Sequence, residues 1–297
     1  MPAAPAAFRD PRHSGNTVFE PVTQTRLPGS LSIMLSYRHG FHAGNPADVF
    51  KHTVLIALVR AMQEKPGGIL FVDTHAGPAL YDLHSDWALK NREFDKGIGR
   101  LWELPASASG GPLGDYLAGI RAFNPDGELR YYPGSPLLLR SMLRALDRLV
   151  VCELHPAERT ALAERFENDR QVTVEAGDGY AALAGYLPSP TGRGLVLIDP
   201  SFEKRSELDD MIGALRSALR RFDHGVYVIW YPVIDGRDTT PDVVPDRLGL
   251  EGERWLDLRV AFPDGQRLGR MTGCGMAIIN CPYRARQTLL SLQSGWS

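Results

Sequence analysis

The chain has 297 residues, 43% of them hydrophobic, with a formal net charge of −2. That length and composition support a large core and exclude general disorder, and no apolar run approaches the roughly 20 residues of a membrane helix. Near-neutral charge gives no global attraction to nucleic acid, and three cysteines without a Cys-x-x-Cys pair point to reduced thiols in a cytoplasmic protein rather than to disulfides or structural zinc.

Residues 1–33 are rich in Ala, Pro and Thr and lack periodicity, so they are read as a loose extension, with a misplaced start codon as the alternative. They lack the apolar core of a secretory signal. From Met34 aromatic, basic and histidine residues interleave up to a helix beginning near Pro46, with Asn45 as its N-cap. Lys51 and His52 fall in its early turns. His39, His42 and His52 raise the question of a metal, but no Cys or His partner at zinc spacing follows, and no metal is expected.

A buried strand over Ile69–Val72 then runs into Asp73, His75 and Gly77, the order of an acid and a glycine turn in a nucleotide- or S-adenosylmethionine-binding sheet. A full Gly-x-Gly-x-x-Gly fingerprint is missing, which argues against an NAD enzyme. Residues 81 to about 128 break the strand rhythm and read as a small helical insertion, with helices over Asp86–Leu104 and Asp115–Phe123 around a Pro/Ser/Gly loop. Its Lys90, Arg92, Lys96 and Arg100 face either phosphate or solvent. Ser135 follows in Tyr-Pro-Gly-Ser-Pro, where either its hydroxyl caps a helix over Leu137–Leu146 or the exposed start of that helix suits a carboxylate or phosphate.

Strands and helices alternate from there: strand Arg148–Glu153, helix Ala157–Asn168, strand Val172–Ala176 ending at Asp178-Gly179, and an aliphatic strand from Gly194 to Asp199. Helix Glu207–Arg221, strand Gly225–Tyr231 and a final antiparallel pair over Trp255–Phe262 and Gly275–Ile279 complete the series. This alternation predicts an α/β fold, a Rossmann-like parallel sheet with helices on both faces. Asp73, Glu153, Asp178 and Asp199 each end a strand, so one sheet edge carries four acids. One after the second strand accepts ribose hydroxyls and one after the third accepts an adenine amine, the layout of an S-adenosylmethionine pocket, although each acid alone also suits a helix cap. The last acid opens Asp199-Pro200-Ser201-Phe202. In such a turn a carboxylate and the proline carbonyl accept hydrogen bonds from an exocyclic amine while the aromatic ring stacks on the base.

Longer strings add a resemblance: Leu35-Ser-Tyr-Arg-His-x-Phe-His-Ala-Gly-Asn45, Lys51-His52-Thr53, Asp73-Thr-His-Ala-Gly77, Arg130-Tyr-Tyr-Pro-Gly-Ser-Pro136, Glu153-Leu-His-Pro156, Asp178-Gly179 and Trp230-Tyr-Pro-Val233. From Met34 onward the chain resembles the bacterial 23S ribosomal RNA adenine-N6 methyltransferases of the RlmJ type. The resemblance implies a Rossmann-like methyltransferase domain over 34–297 with its helical insertion, acting as a monomer on protein-free 23S rRNA with S-adenosyl-L-methionine. It implies that His52, His75, Ser135, Glu153, Asp178, Gly179 and Asp199 line the cofactor. Asp199, Pro200 and Phe202 would hold the target adenine, and Tyr37 would touch RNA. Two departures stand out: Ser201 replaces a second proline, and Gly77-Pro78-Ala79 replaces Gly-x-Gly, where the Ala79 methyl is expected to crowd the cofactor or to require φ below zero. The rival readings are methylation of another amino nucleobase such as DNA adenine, and a non-catalytic RNA-binding protein with a drifted cofactor pocket.

Overall fold

The computed structural model describes residues 39–104, 110–204, 206–237 and 241–296. The extension over 1–33 and Tyr37 lie outside the described residues. The first helix, α1 (Pro46–Gln63), starts as its sequence dictates, with proline in the first turn and the Asn45 side chain accepting the Asp48 amide at 2.9 Å. It is buried around almost its whole circumference. One face, with Phe50, Val54 and Leu58, packs on the main sheet, and another, with Val49 and Ile56, packs on the insertion. A lysine in its second turn is therefore enclosed.

Seven strands form the main sheet: β1 (Leu70–Asp73), β4 (Arg148–Glu153), β5 (Val172–Ala176), β6 (Gly194–Ile198), β7 (Val226–Ile234), β8 (Trp255–Ala261) and β9 (Met271–Ile279), in the order β5-β4-β1-β6-β7-β9-β8. The first five in that order are parallel, and β9 is inserted antiparallel between β7 and β8. Strands β1 and β6 are buried at every position, as their unbroken apolar runs demand at the centre of a parallel sheet. The chain adds β4 and β5 on one side of β1 and β6 and β7 on the other, and the crevice at the carboxyl ends of the strands at such a switch point is where ligands bind. Helix α8 (Glu207–Arg221) covers one face with Met211, Ile212, Leu215, Ala218 and Leu219, while its charged residues other than buried Glu207 lie on the remaining faces.

The segment between β1 and β4 differs in detail from the sequence reading. A two-stranded antiparallel sheet, β2 (Leu80–Asp82) with β3 (Tyr131–Pro133), frames it. The expected helix Asp86–Leu104 is broken into α2 (Asp86–Asn91), a 3-10 turn (Glu93–Lys96) and α3 (Ile98–Trp102), because Arg92 turns left-handed at φ 47°. Next comes α4 (Gly111–Arg121), which starts before the expected Asp115. Ser135 does not cap the following helix α5 (Ser135–Met142): Gly134 holds the cap position, and the Ser135 hydroxyl bonds elsewhere.

Candidate active site

A cleft of about 800 Å³ opens along the carboxyl ends of β1, β4, β5 and β6. His52, His75, Ser135, Glu153, Asp178, Gly179, Asp199 and Pro200 all line it. Residues scattered from position 52 to position 200 are thus brought to one place by the parallel strand order.

The turn after β1 is fixed first. Asp73, fully buried, accepts the Ser135 hydroxyl at 2.6 Å and the His75 amide at 3.2 Å. Burial pushes its carboxyl up to about 6, with the Asp199 charge adding to the rise and the Ser135 hydrogen bond opposing it. The Thr74 hydroxyl donates to the Leu197 carbonyl, so His75 Nδ1, 2.7 Å away, must supply the proton between them, and Nε2 is left as an acceptor. Burial lowers the His75 pKa to about 4, which keeps the ring neutral. Gly77 takes φ +61° and presents its amide to Glu153 Oε2 at 2.8 Å; a side chain there would meet the Tyr81 hydroxyl.

Glu153 also accepts the His155 amide through Oε1, at 2.6 Å. Two backbone N–H groups hold the carboxylate still, and each oxygen keeps a further lone pair for hydroxyl donors. Asp178 caps α7 (Gly179–Tyr186) by accepting the Tyr180 amide at 2.9 Å. The residue after it must be glycine, since a Cβ on Gly179 would fall 2.1 Å from the Thr74 carbonyl oxygen. That close approach draws the start of α7 against the β1 turn, with the Tyr180 ring edge-on to His75 at 5.1 Å. The Tyr180 hydroxyl in turn donates to buried Glu207 at 2.9 Å. His52 is buried in the cleft floor, its Nδ1 2.8 Å from the Tyr132 hydroxyl.

The residue that sequence reading passed over is Lys51. Its ammonium lies 2.6 Å from Asp199 Oδ2 and 2.8 Å from Asp48 Oδ1, and the lysine side chain is only 4% exposed. Burial alone would lower its pKa, but the two carboxylates outweigh burial and hold it above the ordinary lysine value. Lys51 is therefore a fixed cation that neutralises and orients Asp199. Only Oδ2 of Asp199 is engaged; Oδ1 is unpaired among the described residues. The signal available in the sequence was a lysine in the second turn of a helix apolar on every side.

One expected contact is not formed. Phe202 does not line the cleft: it takes φ +53°, is 4% exposed, and packs in the core with Ile198 and Met211. The left-handed turn points the ring down onto the sheet, where burial of an aromatic surface is favourable, instead of up towards a ligand. Ser201 is exposed on the cleft wall. Ala79, expected to crowd the cofactor or to need φ below zero, does neither: it takes φ +69°, is fully buried, and lies outside the cleft lining.

A family model described as Ribosomal RNA large subunit methyltransferase D, RlmJ, matches residues 66–294. The chain belongs to this family. It is 40% identical over 260 residues to the ribosomal RNA large subunit methyltransferase J of Escherichia coli (strain K12), covering 86% of this chain and 90% of that protein. The Haemophilus influenzae protein of the same name is 40% identical over 258 residues, covering 84% of this chain and 88% of that one. A solved Legionella pneumophila structure superposes with a TM-score of 0.72 at 32% identity, covering 85% of this chain and 93% of that one. Among the described residues of this RlmJ-family chain no three His, Cys, Asp or Glu side chains could share a metal ion, and no helix is long and apolar enough to cross a membrane.

Proposed function

We propose that the chain transfers the methyl group of S-adenosyl-L-methionine to the exocyclic N6 amine of an adenine in 23S ribosomal RNA. The observation that carries this reading is the Asp199 carboxylate at the cleft end of β6, locked by Lys51 through Oδ2 and open at Oδ1, with the Pro200 backbone beside it.

The residues present suit the cofactor: the pinned Glu153 carboxylate for ribose hydroxyls, Asp178 and the Gly179 approach for the adenine end, and the neutral His75 ring and Ser135 beside them. Bound S-adenosylmethionine supplies a methyl group on a positively charged sulfur. The work left to the protein is to make a poor nucleophile attack it. The N6 lone pair of adenine is conjugated into the ring. Hydrogen bonds from its protons to Asp199 Oδ1 and the Pro200 carbonyl pull the nitrogen towards tetrahedral geometry and aim the lone pair. After transfer the nitrogen carries a surplus proton, which Asp199 accepts and passes to water. Lys51 keeps the carboxylate in one rotamer and charged until it takes that proton.

Every group in this scheme comes from one chain, consistent with a monomer, and the scheme calls for no metal because the sulfonium is already the electrophile. A cytoplasmic location accords with ribosomal RNA as substrate. Neither departure removes a required group, since Ser201 leaves Asp199 and Pro200 in place and Ala79 lies outside the cleft lining. The test is incubation with labelled S-adenosylmethionine and protein-free 23S rRNA transcript, followed by nucleoside analysis. N6-methyladenosine formed by the wild type and lost in Asp199→Ala, with S-adenosylhomocysteine binding retained, is the expected result; transfer by Asp199→Ala at the wild-type rate would sink the assignment.

A further inference from the structure

The burial of Phe202 leaves the target base without the aromatic face expected of it, and a different ring occupies the neighbouring position. Trp230, on β7, lines the cleft and is only partly buried. The Lys51 ammonium lies 5.7 Å from the centre of its ring and also holds Asp199, so the indole stands close to the carboxylate that would grip the amine. Phe202 lies behind it, edge to face at 6.3 Å and 67°. The indole nitrogen is buried without a hydrogen-bond partner among the described residues. Support from Phe202 sets the angle of the ring.

The cleft continues past Trp230 over Pro232, Ile234, Leu268 and Met271. Ile234 opposes Met271 across the two strands, just where a bulge after Val233 shifts the register and re-aims the side chains. Leu268 bridges to Met271 from the loop before β9. The side chains of Trp230, Pro232, Ile234, Leu268 and Met271 give this surface apolar sides, and the Asp199 carboxylate stands at one end of it. That is the chemistry of a site for a purine removed from its stack, with its amine at the bottom.

We propose that the target adenine of the rRNA docks in this chamber with its face on Trp230, Phe202 acting as the prop behind the indole and not as the stacking surface. This rests on the methyltransferase reading above. Base–aromatic stacking is sequence-tolerant but strong enough that its loss shows in substrate affinity. The test measures methyl transfer to protein-free 23S rRNA transcript as a function of RNA concentration for Trp230→Leu and Trp230→Phe, with S-adenosylhomocysteine binding by calorimetry as the control for an intact cofactor site. Trp230→Leu keeps apolar bulk but no π face. It is expected to raise KM for RNA about tenfold or more, while Trp230→Phe stays within about threefold, with ligand affinity little changed in both. Should Trp230→Leu fail to fold, the Phe variant carries the test with Trp230→Met as the partner lacking an aromatic face. An RNA KM for the Leu or Met variant within about twofold of wild type would overturn this inference alone; absence of transfer by the wild type would overturn the rRNA reading and this one with it.

Discussion

Lys51 and Asp199 are separated by 148 positions in sequence, and their side chains meet at 2.6 Å. The helix that carries Lys51 is enclosed between sheet and insertion, so the pair is shielded from solvent and the attraction is little screened. Removing the lysine takes the shared cation away from two buried carboxylates, Asp48 and Asp199.

Lys51→Met is therefore expected to cost roughly 3–5 kcal/mol of stability and to slow methyl transfer by a factor of about a hundred or more. Thermal unfolding and single-turnover transfer at saturating RNA measure the two effects. A variant with wild-type melting temperature and rate would show that the pair neither stabilises the fold nor orients the acid.

The buried Asp73 gives a pH dependence with a definite sign. Its carboxyl, at about 6 in the folded protein, lies above the ordinary 3.8, so folding favours the protonated form. The stability this supplies is complete below about pH 3.8 and is lost as the pH rises through 6. Asp73→Asn keeps an acceptor for the His75 amide and lets the Ser135 hydroxyl rotate, without the charge. It is expected to be more stable than wild type above pH 6, by up to about 3 kcal/mol, with the difference closing towards pH 4. Denaturant unfolding at a series of pH values checks this; a difference that does not vary with pH would contradict it.

Gly179→Ala forces a methyl to within 2.1 Å of the Thr74 carbonyl oxygen. Backbone must yield, since neither group can rotate away. The substitution should lower stability by about 1–3 kcal/mol and push the start of α7 away from His75. S-adenosylhomocysteine affinity is expected to fall tenfold or more by calorimetry, and unchanged affinity would mean that the helix start and the β1 turn can part without disturbing the cofactor site.

Ala79 supplies the contrasting case. Its left-handed backbone costs about 1–2 kcal/mol, which glycine would relieve at the expense of backbone freedom and a buried methyl. Ala79→Gly should thus shift stability by less than about 1 kcal/mol and leave S-adenosylhomocysteine affinity within twofold. A large gain in affinity would show that the methyl reaches the cofactor after all.

Much of the sheet could be read in advance because β1, β4 and β6 are short apolar runs that each lead into an acid, a pattern with a direct physical cause in burial followed by an exposed edge, while β5 alternates valine with polar residues. Helix α7 and the last helix, α10 (Tyr283–Ser294), escaped that reading. The first is short, with Gly at two of its eight positions, and the second has little apolar contrast between its faces, with Ala285 and Leu289 its buried residues. The β2–β3 pair escaped because three-residue strands carry no periodicity. In the cleft, the acids were visible in the sequence, and their partners were not. Nothing local to Lys51 names Asp199, and nothing local to Asp-Pro-Ser-Phe tells whether its ring turns up or down; the tertiary packing around Trp230 decides that.

The distance in sequence between Lys51 and Asp199 has a bearing on how the protein comes into being. While the chain is being made, its first 60 residues can already contain the Asp48–Lys51 pair, whereas Asp199 emerges long afterwards. The carboxylate meets its lysine only when β6 enters the sheet beside β1 and under α1. Partly folded or truncated forms should therefore carry the acid without the geometry, and methyl transfer becomes a report that the long-range assembly of the sheet is finished.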